Sequence, residues 1–124
     1  ELGSDCPRVR ILDWHAEATS EKVAMGWHLA GRFSAVLGSH THVPTADSRI
    51  LPRGTAHVSD AGMVGPRDSV LGMRPEIIVE RFLTGMPKRF EVADGPVTFN
   101  SVLVEVDDAT GLARSIERID RILE

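Results

Sequence analysis

Apolar and polar positions change their period several times along the chain, and each change predicts an element. Residues 8–14 carry Val9, Ile11 and Leu12 in a short run that predicts a strand. A helix follows. Thr19 or Ser20 can cap its start, and Glu21 in the first turn suits the positive end of the helix dipole. Val23, Trp27 and Ala30 fall at i, i+4 and i+7, which predicts one buried stripe. Gly31 sits where a left-handed C-terminal cap belongs. Residues 34–38, Ser-Ala-Val-Leu-Gly, form the apolar run of a strand buried on both faces. Strand, helix and strand with short joints make a βαβ unit, with parallel strands and a right-handed crossover expected.

Farther on, residues 49–51 and 55–59 predict two short strands around a turn at Pro52-Arg53-Gly54. Residues 60–72 are rich in glycine and read as a loop. Their Gly62-Met63-Val64-Gly65-Pro66 stretch lacks the lysine and spacing of a P-loop. Pro75 opens a second helix through about residue 83, with Ile78 and Phe82 one turn apart and Gly85 closing it. Residues 89–92, 98–106 and 112–122 predict three more strands. Asp107-Asp108-Ala109-Thr110-Gly111 is the turn of a C-terminal hairpin. The class is mixed, α/β (α+β), without internal repeats or low-complexity segments.

This element order gives the histidines a meaning. Asp13-Trp14-His15 follows the first predicted strand and His40-Thr41-His42 follows the second. Parallel strands of one βαβ unit end at the same sheet edge, where open α/β sheets bind their ligands. His15, His40 and His42 can therefore converge. An H-x-H in extended chain puts both imidazoles on one side, and nitrogen donors aimed one way suit a divalent transition metal.

The nearby carboxylates are Asp13, Glu17, Asp47 and Asp60. Asp13 can be a ligand or an acceptor for a histidine N–H behind the ligands. Asp60 is a further candidate for that supporting role, against a plain turn or cap. Glu17 suits a helix start and Asp47 a turn. His28 in mid-helix and His57 inside a strand read as structural. Arg49, Arg53 and Arg67 are expected near the proposed edge and can meet a phosphate there, although scattered arginines are usually only solvated.

The bulk properties narrow the classes. The chain has 124 residues and a net charge of −4, with 42% hydrophobic and 26% charged residues. That suits one small globular domain and gives no basic surface for nucleic acid. Cys6 is the only cysteine, which excludes an intrachain disulfide and a thiolate cluster and points to a reducing, cytoplasmic setting. No apolar run is long enough to span a bilayer. Residues 1–5 lack the pattern of a signal peptide. The chain does not start with Met, so the expectation is that it begins inside a longer protein.

Asp13-Trp14-His15-Ala16-Glu17-Ala18-Thr19-Ser20-Glu21-Lys22 resembles a characteristic segment of the YmdB-type calcineurin-like phosphodiesterases. Gly38-Ser39-His40-Thr41-His42-Val43-Pro44-Thr45-Ala46-Asp47 resembles a second. Asp60-Ala61-Gly62-Met63, Gly65-Pro66 and Arg89-Phe90-Glu91-Val92-Ala93 continue the match in order. The resemblance implies the C-terminal portion of an αββα sandwich with one βαβ unit and a C-terminal β-hairpin. It implies two divalent or mixed-valence metal ions, Fe or Mn, and hydrolysis of phosphodiesters such as cyclic nucleotides. His15 and His40 would share one metal, and His42 would hold the other.

The family's Asp ligand, bridging Glu, Asn ligand and catalytic His stand on N-terminal motifs that do not occur here. The expectation is a partial domain over residues 1–124, with no certain catalytic residue of its own. Its partner would be the missing N-terminal half or another copy of the chain. A non-catalytic metal-binding or interaction module using the same histidines is the alternative. An amidohydrolase, which also uses H-x-H, needs a barrel of about 250 residues.

Overall fold

The computed structural model describes residues 6–124; residues 1–5, read above for a leader pattern, lie outside the described residues. The chain divides into two compact units. The first gathers the chain up to Gly62 together with Ser101–Ile119.

This first unit is built on the βαβ motif. Strand β1 (Ile11–His15) leads into helix α1 (Thr19–Leu29) and strand β2 (Ala35–Ser39). Strands β3 (Arg49–Leu51) and β4 (Thr55–Val58) complete a sheet of order β1-β2-β4-β3. β1, β2 and β4 are parallel, while β3 runs antiparallel to β4. β1 is paired in full register with β2, from Ile11 opposite Ala35 to His15 opposite Ser39.

Alternation along these strands separates two faces. On one face Ala35 and Ala56 meet Ala113, with Leu37, Ile50, Val104 and Ile116 packed around them. Ala113, Val104 and Ile116 come from the antiparallel hairpin of β7 (Val102–Val106) and β8 (Ala113–Arg118), which packs against β3 and β4. Helix α1 packs on β2 and β4. Its buried residues are Lys22 and Gly26, followed by Ala30 at the C-cap.

That line corrects the expected stripe. Trp27 is 45% exposed and Val23 only half-buried, because the helix must approach closely. A Cβ on Gly26 would lie 2.8 Å from the His57 ring, and one on Gly38 would lie 1.9 Å from the Ser59 carbonyl oxygen. Gly26 and Ala30 therefore face the sheet at close approach, and beside them Lys22 is the one long side chain of the helix that is buried. The start of α1 also differs. Ala18 occupies the N-cap position, and neither Thr19 nor Ser20 caps the helix, since both already lie inside it.

The second unit comprises Met63–Asn100 and Asp120–Glu124. It holds a three-stranded antiparallel sheet of β5 (Val64–Pro66), β6 (Val97–Phe99) and β9 (Arg121–Leu123), in the order β5-β6-β9. Helix α2 (Pro75–Thr84) starts on its proline and ends at Gly85, which is left-handed at φ 68°. Ile78 is buried, but Phe82 one turn later is 83% exposed.

Several expected strands change here. β5 lies within the expected loop at 60–72, and residues 89–92 form only a bridge between Val92 and Met73. The long strands expected at 98–106 and 112–122 each break in two. β6 and β7 divide between the sheets, as do β8 and β9. Among the described residues, no helix is long and apolar enough to cross a membrane.

Candidate metal centre

The C-terminal ends of β1 and β2 bring two of the expected donors together. His15 is the last residue of β1, and His40 follows directly after β2. His40 Nδ1 lies 3.2 Å from His15 Nε2, with the rings edge to face and 5.0 Å between centroids. Both side chains belong to exposed residues. Ser39 Oγ sits 3.1 Å from the other ring nitrogen of His15 and donates to Asp13 Oδ1 at 3.5 Å. Asp13, expected behind the ligands, is thus connected to His15 through a serine.

The separation of the two imidazole nitrogens decides what they can do together. It serves a hydrogen bond between the two rings. Two nitrogens bound side by side to one transition metal, at about 2.0–2.2 Å each, stand about 3.0–3.5 Å apart. The observed 3.2 Å falls inside that range. The pair therefore fits a contribution of two donors to one ion. Among the described residues no group of three His, Cys, Asp or Glu side chains is gathered for a metal. A coordination shell around such an ion would need donors beyond this pair.

The H-x-H segment is not extended, contrary to expectation. β2 ends at Ser39, and residues 40–43 bend. His40 has φ 123° and His42 φ 61°, both in the left-handed half of the map where L-residues are strained. The alternation argument for a shared side does not apply to such a turn, and the exposed His42 does not join the His15–His40 pair.

A buried polar network holds this turn. Asp60 Oδ2 accepts from the Thr41 amide and from the Thr41 hydroxyl, each at 2.8 Å. Asp60 Oδ1 accepts from the Gly62 amide at 2.9 Å. Lys22 Nζ from α1 reaches Asp60 Oδ2 at 3.2 Å, and both side chains are almost wholly buried. Burial works to raise the Asp60 pKa. The hydrogen bonds from Gly62, Thr41 and Lys22 outweigh it and hold the carboxyl below its ordinary value.

A second hold lies at the far end of the same loop. Thr45 Oγ1 accepts from the Asp60 amide at 2.9 Å and donates to Asp47 Oδ1 at 2.6 Å. Asp47 also accepts from the Ser59 amide and hydroxyl, at 3.1 and 2.5 Å. Asp47 does more than form a local turn: it ties the loop to the end of β4. Its pKa too is lowered, with bonds from Ser59 and Thr45 outweighing burial.

The remaining candidates separate cleanly. His57 is 1% exposed, and neither ring nitrogen makes a hydrogen bond. Burial foremost, with Arg49, holds its pKa below the ordinary value against the pull of Asp47. It is a packed neutral ring, not a ligand. His28 and Glu17 are exposed on or before α1. Arg49 begins β3 opposite His57, toward the histidine-bearing edge. Arg53 turns the chain at the other end of β4 and so lies away from it. Arg67 belongs to the second unit and pairs with Asp68 at 2.9 Å.

Sequence reasoning missed Lys22, Ser39, Thr41 and Thr45. The one signal for Lys22 was its place on a line with Gly26 and Ala30, which marks the helix face of closest approach.

Comparison with known proteins gives this geometry a context. A model of the YmdB-like protein family matches residues 2–119. The 2′,3′-cyclic-nucleotide 2′-phosphodiesterase of Bacillus subtilis (strain 168) is 57% identical over 109 residues, covering 88% of this chain and 41% of its own length. A crystal structure of a hypothetical protein from Thermus thermophilus superposes with a TM-score of 0.90 at 39% identity, over 98% of this chain and 47% of that one. A crystal structure described as a novel phosphatase from Mycoplasma pneumoniae does so with a TM-score of 0.90 at 40% identity, over 98% and 43%. The chain spans less than half the length of each. The fold is accordingly that of a portion of a calcineurin-like phosphoesterase.

Proposed function

This chain belongs to the YmdB-like protein family, and on that footing we propose that it is the histidine-bearing part of a metal-dependent phosphodiesterase acting on cyclic nucleotides. The observation that carries the reading is the 3.2 Å approach of His40 Nδ1 to His15 Nε2 at the carboxyl edge of the sheet. The name of the Bacillus relative supports the substrate class.

In this reading His15 and His40 hold one metal ion and His42 a second, Fe or Mn. Bound there, the ions supply positive charge for the phosphate oxygens and a water acidified to act near neutral pH. The chain's own contribution is to place the imidazoles. Ser39, bonded to Asp13, fixes the ring of His15 through its other nitrogen. Arg49 stands toward the same edge and is a candidate for holding the substrate phosphate. The carboxylate ligands and the proton donor for the leaving oxygen come from outside these 124 residues, in a longer chain or an associated one. The piece alone is therefore inactive, and it works in the cytoplasm.

The test is hydrolysis of a 2′,3′-cyclic nucleotide with Mn²⁺ by these residues completed with the N-terminal half, in one longer protein or as an associated chain, beside the 124 residues alone. Turnover is expected from the former and none from the latter, with His40→Ala lowering the rate at least a hundredfold. Turnover by the piece itself, or a longer protein indifferent to His40→Ala, would overturn the reading.

A further inference from the structure

The H-x-H turn adopts two strained residues in close succession, and the local hold on it is the Thr41 hydroxyl, which meets the Val43 carbonyl and amide at 3.2 and 3.3 Å. Neither His40 nor His42 is glycine, yet both have positive φ. Such conformations persist only where surrounding structure over-determines them. The residue between them, Thr41, is gripped twice by one carboxylate oxygen, through its amide and its hydroxyl. That oxygen also meets Lys22 Nζ, from a helix on one face of the sheet.

We propose that the buried Lys22–Asp60 pair is the positioning device of the histidine turn: it grips Thr41 and thereby seats His40 against His15. The deduction rests on the reading of His15 and His40 as ligands only for its metal-binding consequence; the seating itself needs no metal.

Three observations converge on it. First, the pair is costly to keep. A lysine at 1% and an aspartate at 0% exposure have lost nearly all their water, and a hydrophobic pair of similar volume would fill the space at no loss of stability. Retaining charge there gains a strong acceptor facing the turn. Second, the acceptor is fully used: Asp60 takes hydrogen bonds from Thr41, Gly62 and Lys22, so its position is fixed from three sides. Third, the backbone behind it cannot retreat. Gly38, two residues before His40, lies so close to Ser59, next to Asp60, that a Cβ would overlap the Ser59 carbonyl, and the Ala61 amide bonds the Gly38 carbonyl at 2.9 Å. The end of β2 and the residues after β4 are locked together, and the turn spans that lock. Among the described residues neither Asp60 nor Lys22 is hydrogen-bonded to an imidazole, so both are positioning residues.

Replacing Lys22 or Asp60 can unfold the chain, so the decisive variants lie at the half-exposed Thr41. Thr41→Val keeps the shape and the amide bond to Asp60 but loses the hydroxyl with its contacts to Asp60 and Val43; Thr41→Ser keeps them. Two readouts are taken on folded protein: the ring-to-ring contact of His15 and His40 by NMR without metal, and Mn²⁺ affinity by calorimetry. Thr41→Val is expected to lose the contact and to weaken Mn²⁺ binding about tenfold, the lower end for a group behind a ligand. Thr41→Ser is expected to keep both. A Thr41→Val chain that retains the ring contact overturns the proposal, whatever its Mn²⁺ affinity. A wild-type chain that takes up no Mn²⁺, while its ring contact still depends on the Thr41 hydroxyl, sustains the positioning role and counts against the metal reading instead.

Discussion

Two turns of the first unit are each held by one aspartate, and the holds differ in depth and in reach. Asp107 opens the turn of the β7–β8 hairpin and accepts from the amides of Ala109 and Thr110 at 2.8 and 3.0 Å. Its other partner, Arg114, is seven residues away. Hydrogen bonding from Arg114, then from Thr110 and Ala109, pushes its pKa down to about 2. Asp60 makes the same kind of bonds to the histidine turn, but across 19 residues to Thr41 and 38 to Lys22. The half-buried Asp107 carboxylate still reaches water as an alternative partner, and the buried Asp60 does not. The hairpin turn is therefore a local device. The histidine turn is a tertiary one, tied to α1 and to the residues after β4, and its geometry is lost if any of those anchors fails.

The widest gap between the two should appear when each aspartate loses its cation. Lys22→Met leaves Asp60 charged, buried and unpaired, a situation that costs about 3–5 kcal/mol. Chemical denaturation should show that loss. Adding Asp60→Asn to Lys22→Met removes the stranded charge and should recover part of it. A Lys22→Met chain within about 1 kcal/mol of wild type would mean that the pair does not hold the turn.

Acid sharpens the comparison next. Both aspartates have lowered pKa values in the folded chain, so each contributes stability that is fully present above the ordinary carboxylate pKa and is lost as pH falls through the folded value. For Asp107 that fall continues to about pH 2. The consequences should differ in kind. Protonating Asp60 strands the Lys22 charge, so the Thr41 amide should lose its protection together with global unfolding. Protonating Asp107 should release Ala109 and Thr110 alone. Residue-resolved NMR between pH 5 and pH 2 would separate the two, and simultaneous loss at both turns would erase the distinction.

The same contrast sets how much of the molecule could be read from its sequence. The hairpin turn was legible because Asp107, Ala109, Thr110 and Gly111 are neighbours, and a turn of that kind is a local preference. The βαβ unit and the meeting of His15 with His40 were legible because parallel strands end together, a rule of topology. The histidine turn's conformation was not. An H-x-H next to a strand reads as extended, whereas here Asp60, brought in by β4, bonds Thr41 within a bend. Lys22 was hidden for the same reason: a lysine in a helix is normally solvated, and its burial follows from the small residues Gly26 and Ala30 that let α1 sit close. The exposed Trp27 is the other side of that fact. The breaks between β6 and β7 and between β8 and β9 divide residues between two sheets, and apolar alternation runs through them unmarked.

The smallest effect should come from the cation of the hairpin. Arg114→Ala removes an ion pair at the surface, where such pairs contribute little and salt screens them. The amide bonds to Asp107 remain, so the turn should keep its form. Thermal denaturation should show the smallest shift of the series, fading further in high salt. The more telling readout is distant. β8 packs against β3 and β4, and β4 runs into Ser59 and Asp60. If the hairpin turn is a local device, the Thr41 amide and the His15–His40 ring contact should be unchanged in Arg114→Ala. A displaced Thr41 signal would show instead that the packing of β8 transmits from one turn to the other, and the histidine turn would then have an anchor beyond Lys22 and Asp60.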